Sequence, residues 1–208
     1  MSEHRVFAAV YDLVGRRAER GPLGARRREL LREASGRVLE IGAGTGANLP
    51  HYPAIEELVL AEPDAAMRRR IGPRSEGLAF PVEVIDAAAE ELPLPDASVD
   101  TVVTTLVLCS VADPARALAE ARRVLRPGGR LLFMEHVRAG GRAARWQDRA
   151  TPVWRRLCAG CHPNRDSVGA IRRAGFAVTA LRRVDDVPTL PPARPIVAGV
   201  GQAPAGEG

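Results

Sequence analysis

The sequence predicts one α/β domain built around a parallel sheet, and three observations predict it. Short apolar runs alternate with segments of helical character from residue 37 onward, the pattern of strands joined by helical crossovers. A glycine-rich turn, Gly42-Ala43-Gly44-Thr45-Gly46, follows the first of those runs, where such sheets let backbone approach a ligand closely. At 208 residues, 46% hydrophobic and 26% charged, the chain is long enough for one core and cramped for two.

Residues 6–13 carry apolar groups at helical spacing and predict an amphipathic helix ending at Gly15. A second helix is expected over 26–34, after the Gly21-Pro22 break. Residues 1–35 together are expected to form a helical cap over the active site, with one compact domain over 36–201 and a loose tail over 202–208. The first strand is Arg37-Val38-Leu39-Glu40-Ile41, a short run bounded by Gly36 and Gly42. Further strands are expected near 58–62, 80–85, 99–105 and 130–136. The best-marked helix runs over 114–125: Asp113 caps it, Pro114 takes its first position, and Arg126-Pro127-Gly128-Gly129 closes it. After His136 comes a long stretch containing Arg, Gly and Trp, then a helix over 165–174 and a strand over 176–183. Pro191, Pro192 and Pro195 precede a last strand at 196–198.

Composition removes several chemistries. All 30 basic residues are arginine, so lysine Schiff-base and lysine general-base mechanisms are excluded. The net charge of +5 is spread as arginine pairs through predicted helices, which reads as solvated helix faces rather than a nucleic-acid stripe. Three cysteines and no secretory segment point to a reducing compartment, with the cytoplasm as the expected location. Arg, Asp or Gly punctuates every apolar run, so no transmembrane segment is expected.

The glycine turn also fits G-x-G-x-x-A through Gly42, Gly44 and Ala47, the dinucleotide fingerprint with alanine in its last place, so a NAD-dependent dehydrogenase competes. Glu62, at the end of the second strand, suits a ribose diol in either case, because a carboxylate accepts from two adjacent hydroxyls. Asp86-Ala87, at the end of the third strand, offers a carboxylate and a backbone N–H matching the exocyclic amine and a ring nitrogen of adenine; the bland alternative is a helix cap.

Longer words follow: Leu39-Glu40-Ile41-Gly42-Ala43-Gly44-Thr45-Gly46-Ala47-Asn48, Leu106-Val107-Leu108-Cys109-Ser110-Val111, Val124-Leu125-Arg126-Pro127-Gly128-Gly129 and Phe133-Met134-Glu135-His136-Val137. From Val38 to about Val184 the chain resembles the class I S-adenosylmethionine-dependent methyltransferases. Within them it resembles the branch of ubiquinone-type C-methyltransferases, small phospholipid N-methyltransferases and methyltransferase-like thiol methyltransferases. The second and fourth words, with Gly160-Cys161, are most similar to the thiol-methylating group. The resemblance implies a Rossmann-like fold: a seven-stranded, mostly parallel sheet with an antiparallel last strand and helices on both faces. It implies S-adenosyl-L-methionine as cofactor and S-adenosyl-L-homocysteine as product. By matching position, residues Gly42, Ala43, Gly44 and Gly46 surround the methionine portion, Glu62 meets the ribose, and Asp86 with Ala87 meets adenine. Glu40, Asn48, Pro63, Ala88, Thr105 and Leu106 complete the implied cofactor-binding set. Those thiol-methylating relatives carry an N-terminal hydrophobic anchor; Met1-Ser2-Glu3-His4 leading into a moderate helix sets the expectation of none here, and peripheral membrane contact stays open.

A methyl on a sulfonium is already activated, so the protein chiefly aligns an acceptor and excludes water. A thiol, with a reference pKa of about 8.5, needs only modest help to ionise. His136 is the first catalytic candidate, as a base, against a strand-capping role; Tyr11 is the second, able to close over the cofactor from the N-terminal helix, against a core-packing role. His51-Tyr52 reads equally as site wall or loop anchor. Cys158 and Cys161 form one C-x-x-C beside His162, with Cys109 far away in sequence; a zinc site wants four ligands, so no metal is expected. Trp146 and Trp154 suit a lid over an apolar substrate or ordinary packing. The expected reaction is methylation of a small molecule, a thiol or another apolar, weakly acidic acceptor. A phospholipid-amine N-methyltransferase, a quinone-type C-methyltransferase, the dehydrogenase and a non-catalytic cofactor-binding module are the alternatives. The expected partner is a small-molecule acceptor and no nucleic acid.

Overall fold

The computed structural model describes residues 19–206; the helix expected over 6–13 and Tyr11 lie outside them. Helix α1 (Pro22–Leu31) leads into strand β1 (Arg37–Ile41), and a short 3-10 turn over Leu49–His51 precedes β2 (Glu57–Ala61). Then come α2 (Ala65–Ser75), β3 (Val82–Ile85), β4 (Val99–Thr105), α3 (Pro114–Val124) and β5 (Leu125–His136). Helices α4 (Gly141–Leu157) and α5 (Ser167–Arg173) precede β6 (Ala177–Val184) and β7 (Ile196–Gln202). The strands form one seven-stranded sheet in the order β3-β2-β1-β4-β5-β7-β6. The pairs from β3 through β5 are parallel, and β7 runs antiparallel to both β5 and β6.

Side-chain alternation splits the interior into two cores, one on each face of the sheet. Leu39, Val59, Val102, Leu131 and Phe133 point to the face covered by α3 and α5, where Leu118 and Ile171 meet them. Their neighbours Val38, Leu58, Leu60, Val103, Leu132 and Met134 point to the other face, under Leu23, Leu30 and Leu31 of α1 and Ile71 of α2. Strands β1 and β2 and residues 131–134 of β5 are therefore mostly apolar runs, as strands buried on both faces must be, whereas the edge strand β3 is half-buried or exposed along its length. Asp64 and Asp113 cap α2 and α3, each accepting hydrogen bonds from two backbone N–H groups of the first turn.

Several boundaries differ from expectation. Helix α3 stops at Val124, and β5 begins at Leu125, which pairs with Val99; the register then jumps to Arg130 opposite Thr101, so 126–129 bulge out as the expected turn. Strand β7 is seven residues long rather than three. The stretch after His136 holds a 17-residue helix, α4, despite Pro152 within it. Among the described residues no helix is long and apolar enough to cross a membrane.

Candidate active site

In this strand order the chain reverses direction of travel between β1 and β4, and a crevice opens at the carboxyl ends there. A cavity of about 600 Å³ occupies it, lined by Gly42, Gly44, Glu62, Pro63, Ala88, Leu106 and His136 among others. That volume suits a cofactor with a small acceptor. A larger concavity of about 800 Å³ lies between α3 and α5, lined largely by arginines and alanines; it shares no lining residue with the first.

The glycine turn forms one wall. Gly42 has φ +66°, and its N–H donates to the Ala61 carbonyl at 2.8 Å, tying the turn to β2. A Cβ there would fall 2.7 Å from Val107 Cγ2. Gly44, at φ +57°, has nothing within 4 Å of where a Cβ would be, so its backbone faces open space. Glu62 sits beside it, with one carboxylate oxygen accepting from Gly44 N–H at 2.8 Å and the other from Asp64 N–H at 2.9 Å. Burial raises its pKa above the ordinary carboxylate value.

A second group of expected residues packs behind this turn. Asn48 is fully buried; its amide donates to Glu40 and Thr105, each at 3.0 Å, and its carbonyl accepts from Arg27 of α1 at 2.9 Å. Arg27 also donates to Thr105 at 2.7 Å and pairs with Glu19 at 3.0 Å. Tyr52 donates to the other Glu40 oxygen at 2.7 Å. Burial pushes Glu40 up to about 7, against the lowering pull of Tyr52 and Arg27. Glu40, Asn48 and Thr105, with Ala43 and Gly46, thus support the turn and do not line the cavity, and His51-Tyr52 resolves in favour of an anchor for Tyr52. Asp86 is half exposed and pairs with Arg68 at 2.7 Å, while Arg68 also donates to the Glu62 carbonyl. Ala87 is buried in the core.

The opposite wall is built of sulfur, imidazole and indole: Cys109, His136, Trp154, Cys158 and Cys161 all line the cavity. His136 closes β5 with Nδ1 lying 3.4 Å from Cys109 Sγ and 3.5 Å from Cys161 Sγ. Its ring is therefore engaged with protein partners. Glu135 faces inward beside it, accepting from the Val107 and Leu108 N–H groups at 3.1 Å, which fixes the turn that carries Cys109. Leu106 begins that turn at φ +62°, a conformation rarely adopted by a non-glycine residue. The contact with Cys109 holds the Cys161 thiol down to about 5, and the same contact and burial raise Cys109.

The sequence reading missed this cluster because it tested Cys158, Cys161 and His162 as neighbours. Cys161 instead meets Cys109 and His136, from segments more than twenty residues away. The usable sign was that His136 ends one strand and Cys109 stands just beyond the end of its neighbour, on the same sheet edge.

Residues 39–133 match the model of a methyltransferase domain. The chain carries an S-adenosylmethionine-dependent methyltransferase domain. It is 38% identical over 152 residues to human thiol S-methyltransferase TMT1A, an alignment covering 71% of this chain and 62% of that one. It is 39% identical over 114 residues to the ubiquinone/menaquinone C-methyltransferase UbiE of Proteus mirabilis, covering 50% and 45%. The chain spans 61–65% of the length of the thiol S-methyltransferases it matches. A solved methyltransferase from Thermotoga maritima superposes with TM-score 0.70 at 23% identity, covering 97% of this chain and 99% of that one. The antiparallel β7 fits this domain, and the dehydrogenase reading of Gly42, Gly44 and Ala47 is set aside.

S-adenosylmethionine is the cofactor this domain implies, and the residues fit it. Gly44 leaves room for a ligand against bare backbone, and each Glu62 oxygen has one protein partner, leaving acceptor capacity for a diol.

Proposed function

We propose that this protein transfers the methyl group of S-adenosylmethionine to the sulfur of a small, apolar thiol. The observation that carries the reading is the pairing of two unlike walls across one cavity, a glycine–carboxylate cradle facing a lining of cysteine, histidine and tryptophan. The likeness to thiol S-methyltransferases adds support. The likeness to the human thiol S-methyltransferase runs over 152 residues, further along the chain than the 114-residue likeness to UbiE.

When bound, the cofactor supplies a methyl group on a positively charged sulfur. In this reading Gly42, Gly44 and Glu62 hold it, with Pro63, Asp86, Ala87 and Ala88 beside its nucleoside end. Leu106, Met67 and Trp154 exclude water, which strengthens local electrostatics and aligns the acceptor. The wall opposite the cradle has only to orient the acceptor and favour its ionised form, a small demand for a group of reference pKa about 8.5. A quinone-like carbon acceptor is the second reading, favoured by the UbiE likeness.

The test is to incubate the purified chain with S-adenosylmethionine and panels of alkyl thiols, amines and hydroquinones, and to identify methylated products by mass spectrometry. Methyl thioethers formed from thiols support the reading; methylation confined to carbon or nitrogen overturns it.

A further inference from the structure

Cys109, His136 and Cys161 come from three separate segments, yet their ligand atoms all lie within 4.8 Å of one another. Cys109 sits in the turn after β4, His136 ends β5, and Cys161 follows α4. The arrangement is held by backbone contacts outside the cluster. His162 N–H donates to the Cys109 carbonyl at 2.6 Å, and the Ser167 hydroxyl donates to the His136 carbonyl at 3.1 Å. Arg165 donates to the carbonyls of Leu108 and Val111 at 2.7 and 2.8 Å, clamping the turn that carries Cys109.

The spacing suits tetrahedral zinc. Tetrahedral zinc has bonds of about 2.3 Å to sulfur and about 2.0–2.1 Å to nitrogen, which place a sulfur and a nitrogen ligand roughly 3.6 Å apart. The two sulfur-to-Nδ1 separations are 3.4 and 3.5 Å, so an ion fits with little movement of any side chain. Two thiolates and an imidazole are soft and borderline donors, which select zinc over magnesium or calcium. Three protein ligands leave one position open, the pattern of catalytic zinc rather than of closed four-ligand structural sites.

We propose that Cys109, His136 and Cys161 bind one zinc ion, and that its fourth position, facing the cavity, takes the sulfur of the acceptor. The second half of this inference rests on the thiol reading above. A thiol entering that position displaces water and loses its proton to solvent, the sulfur keeping the S–H electron pair. One lone pair of that sulfur then forms the new bond to the methyl carbon as the sulfonium carbon–sulfur bond breaks. The electron pair of the broken bond stays on the departing sulfur, so nothing is oxidised or reduced. Coordination explains why the wall needs no separate base, since a metal-bound thiol is already deprotonated.

The test loads the full chain with zinc, removes excess by dialysis, and measures bound metal by mass spectrometry. About one zinc per chain is expected, retained in Cys158→Ser and lost in Cys109→Ser and Cys161→Ser, with folding of each variant checked by circular dichroism. Cobalt loaded in place of zinc is expected to show a sulfur-to-cobalt charge-transfer band, which strengthens when 2-mercaptoethanol is added as a probe thiol. Less than a tenth of an equivalent of zinc, or equal zinc in the Cys109→Ser/Cys161→Ser double variant, overturns the site. A cobalt spectrum indifferent to the thiol overturns the role of the fourth position. Methyl thioether formation at full rate by metal-free protein overturns the inference and leaves the thiol reading standing. Zinc binding with a thiol-responsive spectrum but no methyl thioether does the reverse.

Discussion

Two polar clusters flank the glycine turn, and they differ in what they leave unfinished. Behind the turn, Arg27, Asn48, Glu40, Tyr52 and Thr105 satisfy one another through bonds of 2.7 to 3.0 Å, away from the cavity. Across the cavity, Cys109, His136 and Cys161 bring their ligand atoms within 4.8 Å of one another, and Glu135 keeps one buried carboxylate oxygen without a hydrogen-bond partner among the described residues. A closed network of buried polar groups specifies structure. An open one, facing a cavity, is free to meet a ligand. The comparison predicts that damage to the first cluster is felt in folding and damage around the cavity is felt in binding.

The largest effect is expected from Arg27→Leu, which strips the cation from half-buried Glu19 and buried Glu40 and leaves the Asn48 carbonyl without its donor. Removing one partner of a buried ionic network costs about 3–5 kcal/mol, to be read from urea denaturation. A variant as stable as the parent would erase the distinction between the clusters. Glu40→Gln sharpens it through pH. Glu40 has its folded pKa raised from 4.5 to about 7, so its stabilising contribution is complete below pH 4.5 and is lost as pH rises through 7. The parent should lose up to roughly 3 kcal/mol more than the variant between pH 5 and 8; parallel stability profiles would refute this. Glu62→Ala, on the cavity side, should weaken S-adenosylmethionine binding about 100-fold, as expected for losing hydrogen bonds to a charged group. Calorimetric titration measures it, and unchanged affinity would remove Glu62 from the cradle. Smallest is Asp86→Asn: its half-exposed pair with Arg68 is worth less than about 1 kcal/mol of stability. Cofactor affinity should fall by roughly threefold to tenfold if the carboxylate meets adenine; no change in titration assigns it to Arg68 alone.

The sheet was legible in the sequence because its central strands, buried on both faces, are mostly apolar, and glycine marks several of their ends. Strand β7 was cut short for a specific reason. Gly199 and Gly201 look like breakers, yet a Cβ at Gly199 would fall 2.6 Å from the Phe133 ring and one at Gly201 would lie 3.2 Å from Phe176; these glycines make room for aromatics on neighbouring elements. Helix α4 was hidden by Gly140, Gly141 and Pro152 among arginines. In the site, the cradle was readable because a turn is a local property, carried by residues adjacent in the chain. The sulfur wall was not, because Cys109, His136 and Cys161 meet only once β4 and β5 pair and the segment after α4 folds back. Adjacency drew attention to Cys158 and His162, which lie outside the cluster.

The bare α-carbon of Gly42 rests against Val107, and Val107 stands two positions ahead of Cys109 in the turn pinned by Glu135. This contact between two loops helps to set the distance between the glycine turn and the wall that carries Cys109. Any larger residue at position 42 wedges them apart, so the width of the cavity is kept by an omitted methyl group.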